Sequence, residues 1–380
     1  MSRFLPGSRW RPRVSRDSLR ADLAAGAIGA IVVLPQGIAF ATLAGLPPQF
    51  GLYAAMLPAV VAALWGSSWH LVSGPTNAIS LVVFATMAQI ALPGSDQYLT
   101  LVLTLSFIVG AVQLAMGLAG LGVLVNFISH TVVVGFTAGA AMLIFAAQIH
   151  NFFGVPIPAG ASFPQSLYAL FTGLHRIEPP TVLIGVATLG AGMAARRWLP
   201  RLPYMIVAMV AGGVLGYALN RWLGQDHTGI RTLGALPAAL PALSMPQLSL
   251  ETLRSLTGAA IAVSVLGLVE AVSIARSIAI RSGQRIDSNQ EFIGQGLSNL
   301  AGSFFSAYPS SGSFNRSGAN FEAGAQTPLA AVFSAGALVL IVLAVAPLAA
   351  FVPMASMAAI LFLVAWGLID FHHIATIVRA

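Results

Sequence analysis

Apolar positions in this chain are neither alternating nor striped; they come in unbroken stretches separated by short clusters of Pro, Gly, Ser and Arg. Twelve stretches stand out, at 22–44, 49–66, 71–92, 98–119, 121–148, 179–197, 203–221, 252–280, 288–306, 308–324, 328–349 and 352–371. Each approaches the roughly 20 residues needed to cross hydrocarbon as a helix, which predicts an all-α, multi-spanning membrane protein. Two stretches depart from the rule. The third opens with His70-Leu-Val-Ser-Gly-Pro-Thr-Asn77 and the tenth with Tyr308-Pro-Ser-Ser-Gly-Ser-Phe-Asn-Arg316, rich in residues that begin helices rather than continue them. Each is read as an extended segment followed by a half-helix that starts near mid-membrane.

Composition agrees. Hydrophobic residues make up 57% of the chain and charged ones 8%, against about 45–50% and about 25% in soluble domains. No Lys or Arg occurs between Arg20 and Arg176, where Asp22 and Asp96 are the acidic residues. Cysteine is absent, which excludes disulfides and thiolate metal or redox chemistry. The formal charge of +7 comes from arginine alone, and Arg3, Arg9, Arg11, Arg13, Arg16 and Arg20 precede the first span. That arm reads as a topology signal and not as a nucleic-acid contact. With the arm cytoplasmic, Arg196, Arg197, Arg201, Arg281, Arg285 and Arg379 also fall inside, and Arg176, Arg221, Arg231 and Arg254 outside, as the positive-inside rule asks. The stretch from Leu23 is too long for a signal peptide and is followed by further spans.

Pro75 and Pro309 lie about 230 residues apart, as do the starts of the first and eighth spans, which marks an internal repeat. With seven spans per copy the second is inverted in the membrane. The chain therefore divides into a basic arm (1–20), a first repeat (21–221), an extracytoplasmic linker (222–251) and a second repeat (252–380). Ala380 corresponds to a point near His150, so the second copy is expected to be incomplete, without partners for spans six and seven.

A half-helix that begins inside the bilayer leaves free N–H groups and a positive dipole end facing whatever lies beyond it, and two such ends facing one another make an anion site. The other reading is a tight helix contact eased by Gly and Ser. Arg316, in the first turn of the second half-helix, either grips an oxyanion in two places or ties spans together by pairing with Glu270. Glu270 lies well inside the eighth span and is read there as the sole carboxylate at that depth; it either carries a proton with the anion or holds a fixed salt bridge. Arg276, nearer the cytoplasmic end, is structural. On the first span Pro35 is expected to break the helix, with Gln36 and Phe40 one turn apart behind it, lining a pocket or packing. Gly117, Gly120 and Gly122 follow no strand, so they serve helix packing and not phosphate binding. His70, His130 and His150 sit near span ends, and His372 and His373 lack the spaced partners of a metal site. No nucleophile, base and orienting group converge, which argues against an enzyme.

These residues resemble the SulP family of sulfate permeases and related anion transporters. The resemblance runs from about Asp22 to the end and rests on five motifs in order. They are Leu34-Pro-Gln-Gly-Ile-Ala-Phe-Ala-Thr-Leu-Ala-Gly-Leu-Pro-Pro48 with Gly51-Leu-Tyr53; Ser73-Gly-Pro-Thr76; Phe127-Ile-Ser-His130 with Gly135-Phe-Thr-Ala-Gly139; Glu270-Ala-Val-Ser-Ile-Ala-Arg276; and Tyr308-Pro-Ser-Ser-Gly-Ser-Phe-Asn-Arg-Ser317. The resemblance implies a 7+7 inverted-repeat, UraA-like transporter fold with discontinuous third and tenth spans. Spans 1–4 and 8–11 would form a core that moves against a gate of spans 5–7 and 12. It further implies substrate contacts at Gln36, Phe40, Thr76, Asn77, Ser313, Phe314, Asn315 and Arg316, proton coupling at Glu270, and a homodimer in a bacterial inner membrane, with no metal and no cofactor. The family's last two spans and its STAS domain have no counterpart in this sequence, and Asn77 and Asn315 are polar variants within their motifs. The combination of Glu270 and Arg316 is most similar to the proton-coupled sulfate members. The expected function is thus inward sulfate transport with protons by an elevator-like shift, the alternatives being bicarbonate or dicarboxylate transport, an anion exchanger or channel, and a non-transporting sensor.

Overall fold

The computed structural model describes residues 10–127, 130–157, 161, 163–199, 202–234 and 236–368. Arg3, Arg9, Arg201, His372, His373 and Arg379, and the side chain of His130, lie outside the described residues. The described residues form two compact units, one drawn from 1–128 and 239–343, the other from 129–238 and 344–380.

The first unit begins with α1 (Arg16–Leu43), started by a reciprocal capping box in which Ser15 and Ser18 satisfy each other's backbone N–H. The sequence reading expected Pro35 to break this helix, and it does not: α1 runs unbroken through Pro35. Proline forfeits one intrahelical bond, and neighbouring helices in a membrane protein hold the turn in place regardless. The second apolar stretch is two short helices, α2 (Gln49–Ala54) and α3 (Leu57–Trp65). The third is broken as expected, into β1 (Ser73–Gly74) and α4 (Asn77–Met87). It is followed by α5 (Asp96–Leu118), capped by Ser95.

The second unit follows with α6 (His130–Phe153), α7 (Phe163–Thr172), α8 (Pro179–Trp198), α9 (Tyr204–Leu223) and the single turn α10 (Gln225–Thr228). Its α7 has no counterpart among the twelve stretches. Tyr168 and Phe171 stand 72% and 67% exposed on it, and a search for long apolar runs passes over so short a two-faced helix.

The chain then returns to the first unit along an extended Pro-rich strap. Ser244 donates its N–H to Phe304 O at 2.9 Å and its hydroxyl to Ser303 O at 2.8 Å, which supplies partners to a helix C-terminus. Next comes α11 (Leu250–Ser282), capped by Ser249 and closed by Gly283 in the left-handed conformation. The polar helix α12 (Ser288–Ser303) is capped by Asp287. The tenth stretch is again broken, into β2 (Ser311–Gly312) and α13 (Phe314–Glu322), and α14 (Leu329–Val345) follows it. The last described element, α15 (Met354–Leu368), belongs to the second unit and packs on α6, α8 and α9, with Phe362 stacked on Phe145 and Thr188 bonded to Ser356.

Within the first unit α12 packs between α5 and α3, and α11 crosses α5 and α4. Small residues let these backbones close up: a Cβ on Gly117 of α5 would stand 2.8 Å from the backbone nitrogen of Ile293 on α12. Among the described residues four helices, Arg16–Leu43, Asp96–Leu118, Tyr204–Leu223 and Leu250–Ser282, are long and apolar enough to cross a membrane alone. Their outer faces carry large exposed apolar side chains such as Leu23, Val214 and Ile261, which suit lipid and not water.

Candidate functional site

The two breaks meet. β1 and β2 pair antiparallel, Ser73 opposite Gly312 and Gly74 opposite Ser311. Just past the ladder Ser313 N–H donates to Val72 O at 3.0 Å, and Val72 N–H to Ser317 Oγ at 2.9 Å. The non-helical backbone is thus satisfied inside protein, the condition for such backbone at membrane depth. From this shared ladder α4 and α13 depart, so their N-termini are set by one small element.

Their first turns differ. Thr76 caps α4: its hydroxyl accepts from Ile79 N–H at 3.3 Å and donates to Glu270 Oε2 on α11 at 3.1 Å. Ser313, at the equivalent place on α13, makes no side-chain cap bond, and the first backbone bond there is Ser317 N–H to Ser313 O at 2.9 Å. The N–H groups of Phe314, Asn315 and Arg316 precede that bond and carry the positive end of the helix dipole.

Arg316 is 1% exposed. One arm, Nη2, donates to Pro75 O at 2.9 Å, while Nε and Nη1 are buried with no hydrogen-bond partner among the described residues. Among the described residues neither Arg316 nor Glu270 forms an ion pair within 4.0 Å, so no direct salt bridge joins the two. A guanidinium held this way, desolvated and with two donors unspent, costs several kcal/mol unless an acceptor joins it. Gly74 makes room for it. Its φ is +145°, a conformation side chains avoid, and a Cβ there would stand 3.2 Å from Arg316 Nη2.

The other candidate residues are placed as follows. Gln36 and Phe40 are buried on α1, which packs against both α4 and α13. Asn77 is half-buried in the first turn of α4. Phe314, 63% exposed, and Asn315, also exposed, project from the first turn of α13. Arg276 donates to Ser288 Oγ at 2.7 Å, in line with a structural role.

Sequence reasoning missed the polar face of α12. Glu291, 1% exposed, accepts from Ser67 N–H and Oγ at 2.7 and 2.8 Å and clasps the loop that leads into β1. Gln295 donates to Ser73 Oγ on β1 at 2.6 Å. Glu270 is therefore not the one carboxylate inside the protein. Asp22 is also fully buried, accepting from Gln326 N–H at 2.7 Å and Thr327 N–H at 3.0 Å. The available signal was spacing: Glu291, Gln295, Ser298 and Gly302 recur at helical intervals within a span otherwise read as apolar.

The chain is similar to known proteins. The Sulfate permease family profile matches residues 19–380. The "Probable sulfate transporter" of Mycobacterium tuberculosis is 32% identical over 376 residues, 97% of this chain, and the chain spans 66% of that relative's length. Among solved structures, the transmembrane domain of a cyanobacterium bicarbonate transporter, BicA, superposes with a TM-score of 0.87 at 27% identity, over 95% of this chain and 91% of that one. The murine Slc26a9 anion transporter, in an inward-facing state, gives a TM-score of 0.89 at 20% identity over 99% of this chain and 65% of that one, a likeness of fold. With these matches comes the UraA-like inverted-repeat architecture. The chain is a multi-pass membrane protein and belongs to the sulfate permease family.

Proposed function

We propose that this protein is a secondary active transporter of inorganic oxyanions, sulfate above all, and that it brings them inward together with protons. The observation that carries the reading is Arg316: a buried guanidinium with Nε and Nη1 unspent, beside three free N–H groups of α13. Charge-assisted bonds to an oxyanion would complete all of them, and a tetrahedral dianion has acceptors enough for the whole set. Sulfate is the name carried by the mycobacterial relative, and it fits a site with this many donors.

Glu270 supplies the coupling. Its carboxylate is fastened through Thr76 to the start of α4 and, among the described residues, makes no ion pair within 4.0 Å. At an effective dielectric of about 20, two like unit charges in close approach repel by a few kcal/mol, and a dianion doubles that. A proton on Glu270 removes the repulsion, so anion and proton load together. Binding in an elevator-like cycle keeps both inside the unit that carries the ladder while access changes from one side to the other. The remaining assignments follow the same reading: Gln36, Phe40, Asn77, Phe314 and Asn315 as the walls of the site, the arginine arm in the cytoplasm, a bacterial inner membrane, and a homodimer.

Bicarbonate is the second reading, favoured by the close superposition on BicA. Uptake by purified protein in liposomes separates the two. Labelled sulfate should accumulate against its gradient when the outside is acidified, and a tenfold excess of bicarbonate should leave most of that uptake intact. Flux that ignores the pH gradient would refute the proton-coupled reading, and full block by bicarbonate would transfer the assignment to that anion.

A further inference from the structure

A ladder of two residue pairs, extended by the one Ser313–Val72 bond, is too short to fix its own register. Pairing specified by so few bonds is prone to slip, and a slip of one residue moves the following chain by about 3.3 Å and turns each side chain to the opposite face. Yet the position of Arg316, five residues past Ser311, depends on that register. Something outside the ladder has to read β2.

Asn299 does so. It is 1% exposed on α12 and makes four hydrogen bonds. Oδ1 accepts from Ser310 N–H at 2.8 Å and from Ser310 Oγ at 3.1 Å. Nδ2 donates to Ser310 O at 3.1 Å and to Gln113 Oε1 on α5 at 2.8 Å. Two lone pairs and two N–H groups are the whole capacity of a carboxamide, so the group is saturated. Turning the amide over would set Nδ2 against Ser310 N–H and Oδ1 against Ser310 O, so one orientation alone is compatible with its surroundings. Gln113, also 1% exposed, is braced in turn by a bond from Nε2 to Ser264 O on α11 at 3.3 Å.

In effect the Asn299 side chain adds a rung ahead of the strand pair, as the Ser313–Val72 bond does past it, while Ser311 Oγ donates to Gly267 O on α11 at 2.7 Å. Asn299 reads both polar groups of the Ser310 backbone, the residue immediately before β2, and ties them through Gln113 to the helix that carries Glu270. We infer that Asn299 is a positioning residue of the anion site: it fixes the register of β2 and thereby the place of the α13 N-terminus and Arg316. The inference rests on the anion-site reading above, since it assigns Asn299 a role in affinity through that site. A displacement of about 1 Å at a binding group is enough to cost orders of magnitude in function.

The test is sulfate affinity and transport ceiling in purified, reconstituted protein. Asn299→Leu keeps the shape and removes all four bonds, and it should raise the half-saturating sulfate concentration at least tenfold while the maximal rate stays within about twofold. Gln113→Leu removes the outer brace alone and should raise it two- to fivefold, which serves if the first variant does not fold. Ser310→Ala keeps the backbone pairing and should bind within twofold of the unaltered protein. A purely structural role predicts a different split: less folded protein and a lower melting temperature with an unchanged half-saturating concentration, for Asn299→Leu or, failing that, for Gln113→Leu. That result would overturn the inference and leave the anion site standing. Absence of sulfate and bicarbonate binding in the unaltered protein would bring down both.

Discussion

The two half-helices share one ladder and one design, yet they differ in what surrounds their first turns. α4 is capped by its own Thr76, continues as the run Ala78-Ile-Ser-Leu-Val-Val-Phe84, apolar but for Ser80, and answers to a carboxylate. α13 lacks a side-chain cap, carries a buried arginine in its first turn, and is polar along its buried side at Arg316, Ser317 and Asn320. A capped terminus is already satisfied and serves as a support. An uncapped one, with a cation behind it, is a site in want of a ligand. In the proposed function, side-chain chemistry divides the work between the two half-helices: proton on the α4 side, anion on the α13 side.

Changes on the α13 side should therefore act on affinity, and changes on the α4 side on coupling. The largest effect belongs to Arg316→Ala, which should weaken sulfate binding about a hundredfold or more in titration calorimetry, as expected when charge-assisted bonds are removed from a desolvated site. Arg316→Lys restores charge without the planar fork and should recover a fraction of that. Next is Gly74→Ala. Its φ of +145° and the 3.2 Å approach to Arg316 Nη2 mean that both backbone and guanidinium must shift, which should weaken binding about tenfold and lower the melting temperature.

On the other side, Glu270→Gln should leave anion exchange near normal and flatten the pH profile. Sulfate uptake by the unaltered protein should rise as the outside is acidified, because the proton loads with the anion, whereas the variant should run equally at both ends of the range. Uptake by Glu270→Gln that still follows the proton gradient would take Glu270 out of the coupling step. Smallest is Thr76→Val, which deletes one helix cap and the donor to Glu270. Thermal unfolding should register a loss of about 1 kcal/mol, with the pH profile displaced and sulfate affinity little changed.

Much of this comparison was legible in the sequence, for a reason that membranes impose. Pro75, Gly74, Pro309 and Gly312 interrupt apolar runs at a depth where unpaired backbone is intolerable, so their presence signals broken spans. Arg316 and Glu270 stood out because ionised groups are costly there. The pairing of β1 with β2 left no trace, since a strand of two residues has no period to detect. The roles of Asn299, Gln113 and Glu291 were hidden for a related reason: a buried amide or carboxylate takes its meaning from the partner it finds in space, and Ser310 and Ser67 lie on other segments. Pro35 was misread because a rule drawn from isolated helices was applied to one wedged among neighbours.

The account turns on an anion lodged against the uncapped end of α13. A structure of the purified protein with selenate in place of sulfate locates that anion by its anomalous signal. The selenium peak should lie within hydrogen-bonding reach of Arg316 Nε or Nη1 and of the first N–H groups of α13, on the same side of the ladder as Glu270. A peak at α4 alone or outside this unit, with the Arg316 donors turned to other protein groups, would contradict it.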